Sequence, residues 1–492
     1  MFSGKRLISL VVLGLLVFSL VAAGTVAAKA KPYEIKWYFN SNGTQKDEAL
    51  ILQEVNKYLL PKINATLKLY NMDFGTYGQK LSVMLASGEP IDLMFMASWT
   101  NPSYRDAVAK GYLLDITKLW DKYAPKSKAQ RASGFILGTQ INGKNYGIPC
   151  NKEMAHQWGF MIRRDIAEKY NFDLSTIKKF TDIEPMLKVI KENEPNMIPL
   201  QNTVGETGYK FLDFDRIVSD TVPAVLYNDS KDMKIFCELE SAEAKAYFAT
   251  VRKWFLAGYI PADAATMSNF SDPRRAGKVF ASCNSLKPGA AAEGEAANGF
   301  PLQQIELTKP WVQTRDVAGS MMVIPKTCKD PATVLKFYEL FNTDPYLCNL
   351  LLYGIEGKHY IKVNNIQIKY PEGLTKQNTP YRMGNNWVFG NQFIQYVYDN
   401  EDPNKWDNFK KWNLTASNAK SLGFNFDAEP VKNEVAACGS VWNEFMTPLT
   451  VGAVDPEVYL PQAIAKFKAA GLDKIIAEAQ KQLDAWLKTK KK

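Results

Sequence analysis

The sequence predicts an α/β protein of two lobes joined by extended crossings and closed by a helical C-terminal region. Three observations predict it. Strand-like and helix-like stretches alternate from Lys31 onward, two extended segments at 143–152 and 319–325 interrupt that alternation, and the last part of the chain turns to helical spacing. Alternating strands and helices require crossover connections, and so a mostly parallel sheet covered by helices. A chain of 492 residues also exceeds one typical core and suits two or three domains.

The elements follow in order. Residues 34–39, EIKWYF, read as a strand that breaks at 40–43, NSNG. Thr44 with Asp47 resembles a capping box, and Ile51, Val55 and Leu59 then recur at helical spacing until Pro61 ends the helix. Residues 66–70 form a second short strand, and Tyr77, Leu81, Met84 and Leu85 mark a second helix that Gly88 stops. Residues 91–97 form a third strand, apolar on both faces as a central parallel strand should be. The extended stretches GKNYGIPCNK and GSMMVIP are the expected linkers between lobes, whereas 287–299, KPGAAAEGEAANG, is a loop or a weak surface helix. Near the end, Ile464, Phe467, Leu472, Ile475, Ala479, Leu483 and Trp486 describe an amphipathic helical hairpin broken at Gly471.

Ligands of such sheets bind beyond the carboxyl ends of the strands. That edge carries Asn40, Ser41 and Asn42, then Asn71, then Ser98 and Trp99. Asp92 starts its strand and falls on the opposite edge, which makes it a structural hydrogen-bonding residue rather than a catalytic one.

Composition excludes several functions. The net charge of +9 is modest for the length and clusters only in the terminal lysines, so no nucleic-acid footprint is present. Lys5 and Arg6, the uncharged apolar run 7–23 and the small residues Ala28 and Ala30 read as an export signal, with cleavage expected after Ala30, Ala28 the second choice and an uncleaved anchor the rival; cleavage after Ala30 removes Lys5, Arg6 and Lys29 and takes the charge from +9 to +6. Thr25 follows Ala22-Ala23-Gly24 where a lipid-anchored protein would carry cysteine, and no cysteine precedes Cys150. The expectation is a periplasmic or secreted protein without a lipid anchor. The six cysteines are scattered and either pair or stay as buried thiols. With only His156 and His359, neither near a cysteine pair, no zinc site is expected, and no other metal or cofactor is implied.

No hydrolase, phosphate-loop or dinucleotide motif occurs. Glu153 and Asp165 flank the first crossing and could in principle form a glycosidase pair, but acids of this kind are usually solvated or structural. The tryptophans say more. Trp99, Trp158, Trp311 and Trp387 stand beside turns and polar residues, and Trp387 lies in GNNWVFGNQF with Asn386 close by. Sugar rings pack a C–H face on aromatic planes while amides bind the hydroxyls. A partly buried packing role is the competing reading for each of them.

These residues carry a family likeness. LASGEPIDLMFMASW, AVAKGYLLDITKLWDKYAP, GKNYGIPCNKE, IRRDIAEKYNFD and MMVIPKTCKDPATVLKFYELFNTDP resemble, in that order, extracellular solute-binding proteins of ABC importers of the carbohydrate-type family 1 class. LLYGIEGKHY, WVFGNQF, LGFNFDAEPVKNEVAA and AAGLDKIIAEAQKQLDAW resemble the subgroup that ends in a region of unknown function. The resemblance implies a two-lobe type II periplasmic-binding-protein fold. In it 31–148 and 319–350 form lobe I, 149–318 and 351–424 form lobe II, and 425–492 pack on the lobes as helices. It implies capture of a sugar or oligosaccharide, delivery to a membrane permease, a monomeric state and no catalysis. The expected contacts are Asn40, Ser41, Trp99, Asn151, Trp158, Trp311, Asn386 and Trp387. A secreted carbohydrate-active enzyme, hydrolase or lyase, and a non-transporting lectin are the alternatives.

Overall fold

A computed structural model describes residues 31–203, 206–267 and 271–490. The export signal expected at 1–30 lies outside the described residues.

The first sheet has the order Ala65–Met72, Tyr33–Asn40, Leu93–Met96, Met321–Val323, Gly147–Pro149. Its first three strands are parallel, with Tyr33 opposite Ala65 and Trp37 opposite Leu93. Met321–Val323 runs antiparallel to both neighbours. Ile35, Trp37 and Phe39 alternate onto one face, and the Trp37 ring meets Phe39 at 4.9 Å and Phe337 at 5.7 Å between centroids. Ile51, Val55 and Leu59 of the helix Glu48–Ile63 complete this core.

Two local expectations fail at that helix. Pro61 lies inside it, and the helix ends instead at Asn64 in the left-handed conformation, whose amide still reaches the Leu60 carbonyl. Asp47 occupies the N-cap position but caps nothing. Its carboxylate accepts from Lys358 at 2.9 Å and meets His359 at 3.2 Å, so a distant turn takes the charge that the capping box would have used.

The second sheet has the order Leu302–Glu306, Gln157–Arg163, Val279–Leu286, Ile198–Gln201. Gln157–Arg163 is antiparallel to both neighbours, and only Ile198–Gln201 pairs in parallel with Val279–Leu286. A Cβ on Gly159 would lie 1.9 Å from the Ile305 carbonyl oxygen, so glycine is what lets the edge strand approach. The segment 287–299 contains the helix Ala290–Asn298. A second core gathers Phe160, Leu187, Phe248 and Trp254. The helices Lys432–Thr450, Pro456–Ala469 and Leu472–Lys490 bury Cys438, Phe467 and Leu483 in that same core.

One segment sits elsewhere than the resemblance implied. Leu351, Tyr381, Val388 and Phe389 pack in the first core, not the second, because the helix Pro345–Tyr353 carries the chain on along the first lobe. The chain turns to the second core only by Phe424 and Phe426. A third crossing therefore joins the two predicted ones. Cys150 N donates to Ser320 O at 2.9 Å, Asn151 N donates to Gly390 O at 2.8 Å, and Gln392 N donates to Asn151 O at 2.9 Å. All six cysteines are free thiols.

Just beyond the first crossing, Glu153 is nearly buried, with 10% of its side chain exposed, between Lys152 at 3.1 Å and Lys287 at 3.7 Å. Burial opposes its charge, but the two ammonium groups outweigh burial and hold the carboxyl at about 2 instead of 4.5. A carboxyl whose pKa is lower in the folded state adds stability that is complete above its unfolded pKa and is lost as pH falls toward the folded one. Glu153→Gln therefore lowers Tm at neutral pH and flattens the acid decline between about pH 5 and about pH 2 relative to the native chain. Scanning fluorimetry across that window checks it; parallel declines in the two proteins would assign the acid sensitivity to other carboxyls.

Candidate binding site

A cavity of about 360 Å³ opens on the second lobe beside the crossings. His156 and Trp158, at the start of the strand Gln157–Arg163, line one side of it. His156 N donates to Trp311 O at 2.9 Å and Trp311 N donates to His156 O at 3.0 Å, so the chain entering the strand pairs with the chain that leaves the lobe. Trp158 lies two residues on, which in an extended chain puts it on the same face as His156. Its amide donates to Thr308 Oγ1 at 2.8 Å, and its carbonyl accepts from Leu307 N at 2.9 Å and Thr308 N at 3.1 Å. The Trp158 backbone is thus fixed on both sides, and its indole turns into the cavity with Trp311.

Charged groups surround these rings. The Lys210 ammonium stands 5.0 Å from the centroid of the Trp158 ring. Burial, with Arg315 nearby, pulls its pKa down to about 8. Arg315 is paired with Asp220 through a 3.0 Å bond from Nη2 to Oδ2, and His156 Nδ1 is 3.2 Å from Asp316. Burial lowers the His156 pKa below its ordinary value against the opposing pull of Asp316. Asp213 accepts from Asn228 at 2.7 Å. Lys210, Arg216 and Arg315 line the cavity together with Asp213, Asp220 and Asp316, and Arg216 is also held by the buried Glu238 at 2.6 Å. Such a surface offers many hydrogen-bonding groups with charges of both signs close together, which suits a neutral polyhydroxyl solute better than a polyion.

Glycoside hydrolysis is the rival chemistry for a sugar-binding cavity. That chemistry needs two carboxyls flanking the scissile bond, one of them protonated. Here Asp213, Asp220 and Asp316 are each engaged by Asn228, Arg315 and His156. Glu153 and Asp165 do not line the cavity. The first is held by lysines and the second by Arg163 at 2.6 Å.

The sequence-predicted residues divide into groups. Trp158 and Trp311 line the cavity. Trp99, 46% exposed, and Trp387 form a second aromatic pair, 6.2 Å apart between ring centroids and both within about 6 Å of Phe95. Trp387 belongs to the first lobe, where the first core packs against it, and not to a late segment of the second. Trp99 Nε1 donates to Gly319 O at 2.8 Å, and Trp387 O accepts from Ser320 Oγ at 2.9 Å. The segment 311–320 thus carries the cavity wall at one end and the first-lobe tryptophans at the other.

Asn40 and Ser41 are 1% and 3% exposed, and Ser41 Oγ donates to the Met383 carbonyl. The strand-edge rule places them correctly, but the segment around Met383 covers that edge. Asn151, 5% exposed, donates to Gln130 O at 3.3 Å and Asn391 Oδ1 at 3.2 Å and so braces the crossings. Asn386 Nδ2 donates to Tyr353 Oη at 2.5 Å. None of these four lines the cavity. Asp92 accepts from Tyr33 Oη at 2.5 Å and from Lys36 N at 2.9 Å, which ties it to the start of the first strand.

Sequence reasoning missed Tyr209, Lys210, Arg315, Asp316 and Trp442, all of which face the cavity. Gln313, Arg315 and Asp316 crowd behind Trp311 in the sequence, and that density of polar groups after an aromatic was a readable signal. Lys210 and Trp442 left none, because loop placement and helix packing bring them in.

A family described as bacterial extracellular solute-binding protein matches residues 56–348. The chain belongs to the bacterial extracellular solute-binding proteins. A second family, a domain of unknown function, matches residues 420–488 of this solute-binding protein. A Streptococcus pneumoniae serotype 4 relative, named a carbohydrate ABC transporter substrate-binding protein, is 31% identical over 448 residues, covering 90% of this chain and 88% of the relative. The crystal structure of the N-glycan transport solute binding protein NgtS from Streptococcus pneumoniae superposes with a TM-score of 0.82 at 27% identity, covering 93% of this chain and 100% of that one. NgtS in complex with Man5GlcNAc gives 0.77 at 28% identity, over 93% of this chain and 99% of that one. The two-lobe α/β architecture of this solute-binding protein is the one these structures share. Among the described residues, no helix is long and apolar enough to cross a membrane.

Proposed function

We propose that this protein captures a neutral sugar or oligosaccharide beside its interlobe crossings and hands it to the permease of an ABC importer. The observation that carries the reading is the cavity itself: Trp158 and Trp311 give aromatic planes, and paired charges of both signs give hydrogen bonds. Trp99 and Trp387 are the first-lobe surface that meets the solute as the lobes close, because both are fixed to the crossing at Gly319 and Ser320. The names of the relatives support the carbohydrate class. The protein acts outside the cytoplasmic membrane, as a monomer and without catalysis.

Isothermal titration with Man1GlcNAc, Man5GlcNAc and a panel of unrelated glycans tests the reading. Saturable binding of at least one glycan, with no reducing ends released, is the expected result. Silence toward every glycan together with binding of peptides or amino acids would overturn it.

A further inference from the structure

We infer that the C-terminal region, to which no role is attached, is a fixed wall of the solute cavity and selects among solutes by direct contact. The inference rests on the carbohydrate-binding reading above. The helix Lys432–Thr450 is two-sided. Cys438, Val441, Phe445 and Leu449 enter the second core and Asn443 and Thr447 line the cavity, while Trp442 lines the cavity and also packs against that core. Asn443 and Thr447 are four residues apart and so share one face of the helix. An indole, a side-chain amide that both donates and accepts, and a hydroxyl are groups that suit a ring with one apolar face and several hydroxyls.

The end of this helix is locked to the loop across the cavity. Thr450 O accepts from Tyr247 Oη at 2.7 Å and from Asn202 Nδ2 at 3.0 Å. Asn202 Oδ1 accepts from Gly208 N at 2.8 Å, next to Tyr209 and Lys210. Both side chains of this clamp are buried, so the wall and the loop hold their spacing. At Gly452 a Cβ would lie 2.3 Å from the Val251 carbonyl oxygen, so the chain leaves the helix pressed against the helix Ala242–Leu256. The wall is therefore part of the second lobe and does not retreat when the lobes move. A solute that enters beside Trp158 has to fit against it.

The test uses the full-length protein and the glycan bound most tightly in the titrations above. Asn443→Ala, Thr447→Val and Trp442→Ala are expected to weaken that glycan about tenfold each and to narrow the difference in affinity between Man1GlcNAc and Man5GlcNAc. Asn443 is exposed and Thr447 half-buried, so these two decide the matter if Trp442→Ala fails to fold. Affinities within about twofold of wild type for Asn443→Ala and Thr447→Val would overturn the inference and leave the carbohydrate reading standing. A wild-type protein that binds no glycan would overturn both.

Discussion

Trp158→Ala lowers affinity for the captured glycan about thirtyfold and leaves Tm within about 2 °C of wild type. The first half follows from position. The indole is half-buried in the cavity with Lys210 against its ring, so a sugar stacked there gains an apolar plane and an adjacent donor together. Removing a central aromatic of a binding site costs about 2 kcal/mol, which is the stated factor. The second half follows from what Trp158 does not touch. It belongs to neither of the two large cores, and main-chain bonds to residues 307 and 308 hold its strand without the ring. Calorimetric titration paired with scanning calorimetry measures both quantities. Unchanged affinity would remove Trp158 from the site, and a large fall in Tm would make it a packing residue.

Arg131→Met gives the opposite pattern. The guanidinium is 4% exposed, donates from Nε to Pro149 O at 2.6 Å and from Nη2 to Asn342 Oδ1 at 2.8 Å, and also reaches the Ser127 carbonyl. It ties the first crossing to two helices of the first lobe through oxygen atoms that have no water to fall back on. A methionine fills much of the space but leaves those acceptors buried and unpaired, at a cost of about 4 kcal/mol. The expected result is a Tm about 10 °C lower. A fall of under about 2 °C would mean that water or a neighbouring donor takes the place of the guanidinium.

Much of the architecture was legible because it is written in local periods. The alternation at Ile35, Trp37 and Phe39, the helical spacing of Ile51, Val55 and Leu59, and the central apolar run around Phe95 each specify one element and the face it buries. What failed depended on contacts between distant residues. Nothing near Asp47 announces that Lys358 and His359 will claim its carboxylate. Nothing near Ser41 announces that the Met383 carbonyl will take its hydroxyl. The stretch from Leu351 to Phe389 has few repeats of either period, so its membership of the first lobe is decided by packing alone. At the site, Trp158 and Trp311 could be read from their polar surroundings, whereas Lys210 and Trp442 arrive by the folding of a loop and the turn of a helix.

The lacing of the crossings has a mechanical consequence. Cys150 bonded to Ser320, and Asn151 bonded to Gly390 and Gln392, place three passages of chain side by side as a short ribbon. A single tether would behave as a ball joint and let one body spin against the other. A ribbon of laced strands bends easily across its width but resists torsion, because twisting shears its cross-links, each worth about 1 kcal/mol. Any relative motion of the two lobes would thereby be confined to one arc, like a door on a piano hinge. Trp99 and Trp387, bonded to the same ribbon at Gly319 and Ser320, would travel with it along that arc.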